Sequence, residues 1–217
     1  MAEHLRYIIF LVLIFTYVSG KASPKLLTAT VGQVGEQIIT SREVQINYLL
    51  EKVLYVKSYH PHKLPSLKWE AANFGREVSG VLLEWVVYLE ARNFAAIYVT
   101  SLEVDRVEKL ARARLDSHSE WKQLEVIRKE LRSILGRKVR AKKFIKFKAK
   151  SSVTPITDKE AMDYFEKNRV KFGNFPFGKF KDSIKSFLTH QQVDIRMKDW
   201  FEILQAKYKV RNRLAKP

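Results

Sequence analysis

The sequence predicts a mainly α-helical protein with a small β-sheet formed by its N- and C-terminal strands. Three observations carry that expectation. Turn-formers are scarce, with 8 Gly and 6 Pro in 217 residues, which favours long helices. The Thr-x-x-Glu spacing of a capping box occurs at Thr40/Glu43, Thr100/Glu103 and Thr157/Glu160; in such a box each side chain satisfies a free amide of a starting helix. Two β-favouring segments, LTATVGQV at Leu27–Val34 and YKVRNRL at Tyr208–Leu214, stand at opposite ends of the chain. A lone short strand leaves its backbone groups unpaired, so these two are expected to pair.

Residues 1–22 read as a cleavable signal peptide. Arg6 is followed by the apolar run YIIFLVLIFTYV, Tyr7–Val18, and then by the small residues Ser19, Gly20 and Ala22. Twelve apolar residues fall short of the roughly 20 that span a bilayer, so an uncleaved anchor is the weaker alternative. Cleavage is expected after Gly20 or Ala22. The signal implies export. With no cysteine in the chain, disulfides, thiol catalysis, Cys-based zinc sites and a bacterial lipoprotein anchor are excluded.

The mature part, residues 23–217, reads as one module with an N-terminal part over 27–172 and a closing helix and strand over 176–214. After the first strand, Gly35 permits a tight reversal, and QIIT makes the second arm of a short hairpin. From Ser41 to about Ser58, apolar residues at Val44, Tyr48, Leu49, Val53 and Val56 mark a helix face. HPHKLP, His60–Pro65, is a loop, because two prolines break any helix. The next helical region runs from Ser66 to about Tyr98, with a broad apolar stripe around Val78, Leu82, Trp85 and Leu89. Gly75 and Gly80 make a break there plausible on composition. Thr100 starts a helix with Val104, Val107 and Leu110 on one face. Another starts near Ser119, its core side formed by Leu124, Ile127, Leu131, Ile134 and Leu135. Past Thr157 a short helix leads to a loop at Pro176. A final helix carries Phe180, Ile184, Phe187, Val193, Met197, Trp200 and Leu204.

No catalytic constellation emerges. There is no G-x-S-x-G, H-E-x-x-H or P-loop. His4, His60, His62, His118 and His190 do not form a ligand set: His60 and His62 flank Pro61, but no third ligand is near in sequence. No cofactor is expected.

Charge is the conspicuous feature. Lys and Arg number 40 against 23 Asp and Glu, a net charge of +17. The densest tract carries Arg137, Lys138, Arg140, Lys142, Lys143, Lys146, Lys148 and Lys150, interleaved with Val139, Phe144, Ile145 and Phe147 and without one acid. These eight are the candidate basic surface. They would draw acidic polypeptide or an anionic membrane surface. A nucleic-acid patch is chemically allowed, but export argues against that partner. The plainer reading is a solvated helix whose lysines snorkel around inward-packed apolar residues. Trp69, Phe74, Trp85 and Tyr88 are the candidate residues for contact with an apolar client, in a stripe whose pattern does not separate groove from core.

Several segments in order resemble the N-terminal chaperone module of the SurA-like periplasmic chaperones, relatives of PpiD- and PrsA-type foldases. TATVGQVGEQIITSREV, Thr28–Val44, is similar to the family's strand, turn and I-T-x-x-E-V helix start. LLEWVVYLEARNFAAIYVTSLEVD, Leu82–Asp105, resembles its apolar helix and following T/S-x-x-E-V-D start. ITDKEAMDYFEKN, Ile156–Asn168, matches an I-T-D-x-E start with Y-x-x-N. PFGKFKDSI, Pro176–Ile184, and DWFEILQAKYKVR, Asp199–Arg211, match the closing helix and strand. The similarity covers nearly all of the mature chain. It implies the periplasm as the compartment, and a helical holdase that binds unfolded exported polypeptides without ATP, with outer-membrane proteins as expected clients. Relatives insert parvulin domains between the Y-x-x-N helix and the closing helix. Here only VKFGNF, Val170–Phe175, lies between them, too little for a domain, so prolyl isomerase activity is not expected and no catalytic residue is carried over. The competing readings are a foldase acting through an unrecognised site and an envelope adaptor that binds one partner through its basic face.

Overall fold

The computed structural model describes residues 28–55, 66–95 and 97–214. The signal segment with His4, and the loop with His60 and His62, lie outside the described residues. Strands β1 (Thr30–Val34) and β2 (Gln37–Thr40) form the opening hairpin. Helices α1 (Ser41–Leu54), α2 (Phe74–Arg92), α3 (Ser101–Leu115), α4 (Ser119–Gln123), α5 (Arg128–Ser151), α6 (Asp158–Lys167) and α7 (Arg169–Phe172) follow. A 3-10 turn at Phe177–Lys179 leads to the 27-residue α8 (Lys181–Lys207), and β3 (Arg211–Asn212) closes the sheet. The molecule is mainly helical, and its sheet joins the two ends of the chain. The strand order is β2-β1-β3, all antiparallel, with Gly32 opposite Asn212 and Gln33 opposite Arg211.

Local chemistry explains the junctions. Gly35 opens the two-residue hairpin turn with φ +56°, a conformation that costs glycine little. Its amide donates to the Tyr208 carbonyl at 2.8 Å, so the turn is tied to the end of α8. That helix stops in a Schellman motif. Val210 N–H donates to Gln205 O, Lys209 N–H to Ala206 O, and Lys209 takes the left-handed conformation at φ +49°. Gly32 is required for a different reason. A Cβ there would lie 2.9 Å from Leu82 Cδ2 and 3.0 Å from the Arg211 carbonyl oxygen, because β1 is pressed between α2 and β3.

Thr100/Glu103 and Thr157/Glu160 form complete capping boxes. Thr40 accepts from Glu43 N–H in the same way, but the Glu43 carboxylate turns inward and does not return to the cap. Gly75 and Gly80 sit inside an unbroken α2. The helix expected from Ser119 is interrupted instead. Glu125 has φ +47°, and Arg42 Nε donates to Leu124 O at 2.9 Å while its guanidinium pairs with Glu130. This anchor from α1 bends the chain between α4 and α5 and leaves Ile127, expected in the core, 65% exposed.

The main core gathers Val31, Val34 and Ile39 from the hairpin, Val44, Leu50 and Val53 from α1, and Phe74, Val78, Leu82 and Val86 from α2. Leu115, Leu135 and Phe144 join it, with Leu204 from α8. The stripe on α2 is therefore closed core and not an open groove. A second, smaller cluster holds Ile156, Ala161, Phe165 and Ile184, packed with Tyr164, Phe172, Phe177, Phe180 and Leu188. It joins α6, α7 and the first half of α8. Phe187, expected to be buried in the closing helix, projects outward there.

Candidate functional site

The basic tract is helical along its whole length and splits by position into two groups with different jobs. Arg137 and Lys138 face inward and are 5% and 4% exposed. They correct the expectation that all eight cations form a surface. The reason is a set of acids on other helices. Glu84 on α2 accepts from Arg137 Nε at 2.8 Å and from Lys138 Nζ at 2.6 Å. Lys138 also pairs with Glu51 at 2.6 Å. Arg137 Nη2 lies 2.8 Å from the Glu43 carboxylate but outside hydrogen-bond geometry, so that contact is an ion pair only. The Arg137 guanidinium stacks 4.1 Å from the Trp85 ring centroid, and Trp85 Nε1 donates to Glu43 at 2.7 Å. Burial raises the Glu43 carboxyl above its ordinary value, against the opposing pull of Arg137 and Trp85. Three helices are thus cross-linked by alternating charges.

The rest of the tract is surface or near it. Lys142, Lys146 and Lys150 are exposed, and Arg140, Lys143 and Lys148 are half-buried. Lys142 lies 3.4 Å from the Tyr55 ring centroid, and burial pulls its ammonium below its ordinary value. Lys143 pairs with Glu103 at 2.7 Å and donates to Tyr98 O at 2.9 Å. The Lys143 hydrogen bond to the Glu103 carboxylate, with those from Thr100, holds Glu103 down at about 2. Among the described residues, Arg140, Lys146 and Lys150 have no ion-pair partner.

Aromatic rings come to the surface beside these lysines. The i, i+3 spacing of Phe144 and Phe147 puts both on one side of α5. Phe94, just past the end of α2, meets them at 5.6 and 5.2 Å between ring centroids. Phe144 also meets Trp200 of α8 at 5.6 Å, and Trp200 meets Phe201 at 5.0 Å. Lys148 Nζ stands 5.6 Å from the Trp200 centroid. The ladder runs from the buried Phe144 to Phe94 and Phe147, which are 40% and 39% exposed, with Tyr98 more open still. Sequence reasoning took Phe144 and Phe147 as inward-packed parts of the tract and did not single out Phe94. The signal for Phe147 is its place four residues after Lys143 and three before Lys150; Phe94 offers none, since a tertiary contact places it.

The four aromatic residues expected to contact clients are not brought together. Phe74 is buried in the core, with Trp69 at its edge 5.1 Å away and 39% exposed. Trp85 is committed to Arg137 and Glu43. Tyr88 is half-buried, 5.6 Å edge-on from Trp85. Only Trp69 of the four stays open to a partner. Among the described residues no three His, Asp or Glu side chains converge as a metal site, and no helix is long and apolar enough to cross a membrane.

What this geometry offers chemically is adhesion. An apolar aromatic surface backed by core packing lies beside exposed cations that have no ion-pair partner among the described residues. No family model, curated protein or solved structure matches the chain.

Proposed function

We propose that this chain is an ATP-independent holdase for unfolded exported polypeptides, with outer-membrane proteins as clients in the periplasm and no prolyl isomerase activity. The observation that carries the reading is the exposed pair Phe94 and Phe147, continuous with Phe144 and Trp200 and flanked by Lys146 and Lys150, which have no ion-pair partner among the described residues. Rings of this kind present apolar area at low conformational cost. Unpaired surface lysines raise the rate of encounter with acidic segments more than they raise affinity. Contacts made this way are weak and fast, which suits release without nucleotide. The likeness to SurA-like modules and the terminal sheet that closes the helical body agree with the same role.

The test is aggregation of a urea-unfolded outer-membrane protein on dilution, followed by light scattering with the purified chain and no nucleotide. Suppression at near-stoichiometric ratio is expected. It should weaken several-fold in a Phe94→Ser, Phe147→Ser double variant that still melts cooperatively. A chain that leaves scattering unchanged, or that turns over a prolyl peptide, overturns the reading.

A further inference from the structure

A second apolar surface, on the other side of the closing helix, carries charge of the opposite sign. Helices α6 and α8 diverge to leave an open groove of about 660 Å³. One wall is α8, where Leu188, Gln191, Gln192 and Ile195 fall at i, i+3, i+4 and i+7 and so share a face. The other is α6, which contributes Glu160, Asp163, Glu166, Lys167 and the ring of Tyr164, with Ile156 from the segment just before it. Three acids against one lysine make this an acidic groove on a chain whose net charge is +17.

The acids are not equivalent. Glu160 is committed to the capping box with Thr157. Asp163 and Glu166 are exposed and have no ion-pair partner among the described residues. On the facing wall, the Oε1 atom of Gln192 is shielded from solvent yet accepts no hydrogen bond. A buried acceptor left unmade costs free energy.

Resting on the holdase reading, we propose that this groove takes an extended client segment in which Lys or Arg alternates with apolar side chains. Apolar side chains would lie on Tyr164, Leu188 and Ile195. The cations would face Asp163 and Glu166. An acidic segment is disfavoured here by like charge. It is favoured on the Phe94–Phe147 face, beside Lys146 and Lys150. The protein thereby offers two surfaces of opposite preference, divided between its two apolar clusters.

The experiment uses the full chain and two fluorescent peptides with the same apolar residues, one with Lys and one with Glu at the alternate positions. Anisotropy with the Phe94→Ser, Phe147→Ser variant, which removes the competing face, is expected to show the Lys peptide binding about tenfold more tightly, roughly 1.4 kcal/mol. Asp163→Lys with Glu166→Lys, both at exposed positions, should abolish the preference. Added salt should shrink the Lys preference. Equal binding of the two peptides to that variant overturns the groove assignment. A self-association that the α6 substitutions dissolve overturns it too, by making the groove an interface between copies. If aggregation is still suppressed while the peptide preference is absent, the groove inference falls alone. If suppression is absent as well, the holdase reading falls with it.

Discussion

Replacing Glu84 with Gln is expected to destabilise the molecule more than any other single charge change on α2. The Glu84 carboxylate stands between two cations that are almost fully buried, 2.8 Å from Arg137 Nε and 2.6 Å from Lys138 Nζ. Removing one member of a buried ion pair costs about 3–5 kcal/mol, because the partner is left charged without compensation. Here each cation keeps a second acid, Glu43 for Arg137 and the half-exposed Glu51 for Lys138. The loss should therefore sit at the lower end, about 3 kcal/mol. For a chain of this length 1 kcal/mol moves Tm by about 2–4 °C, so Tm should fall by roughly 6–12 °C. Urea unfolding followed by far-UV circular dichroism and by tryptophan fluorescence measures it, and Trp85 reports on the network directly. Glu84→Leu with Lys138→Met should be more stable than either single variant, since an apolar replacement of a buried pair is often neutral or favourable. A Glu84→Gln variant within about 1 kcal/mol of wild type, well below the range for a broken buried pair, would refute the reasoning. It would mean that water reaches Arg137 and Lys138 freely.

Three further outcomes follow from the structure. Gly32→Val should lower Tm sharply or prevent folding, while Gly35→Asn, in a turn with open space around it, should be mild; melting curves of the two separate close packing from turn conformation. Truncation after Asn174 removes the buried Ile184, Met197 and Leu204 together with β3. At about 2 kcal/mol for each such side chain it should abolish cooperative melting, and an unchanged transition would show that α8 is an appendage. Acid should destabilise the protein through Glu108. Burial alone would raise that carboxyl, but hydrogen bonds from Arg128, Arg132 and Arg112 outweigh it and hold it at about 2, below its ordinary 4.5. A depressed carboxyl contributes stability above its unfolded value and loses it as pH falls, here between about 4.5 and 2. Glu43, raised by burial, acts in the opposite sense and offsets part of the loss. Urea midpoints from pH 7 to 3 should drop less steeply in Glu108→Gln than in wild type, and parallel curves would refute the assignment.

The helix starts were legible in the sequence because capping is local chemistry. Thr100 and Thr157 need only a Glu three residues on, and both boxes are complete. The pairing of the terminal strands was legible for a related reason: two β-like segments in a helical chain had no other partner, and backbone groups must be satisfied. Local rules stop there. Nothing within four residues of Arg137 or Lys138 says that they are buried; their acids lie on α1 and α2, far away in the chain. The same distant partners draw the Glu43 side chain out of its capping box, and Arg42 breaks a helix that the periodicity past Ser119 had made continuous. The candidate surface divides in the same way. Its cations could be read from composition, and Phe144 and Phe147 stand among them in the sequence, but Phe94 could not be placed there, because it reaches Phe147 only when the end of α2 packs on α5. The apolar pattern told how wide the α2 stripe is. Which side of it is covered depends on where β1 and α5 lie, and that is a property of the packed chain alone, since burial is set by contacts between segments whose separation in sequence carries no signal.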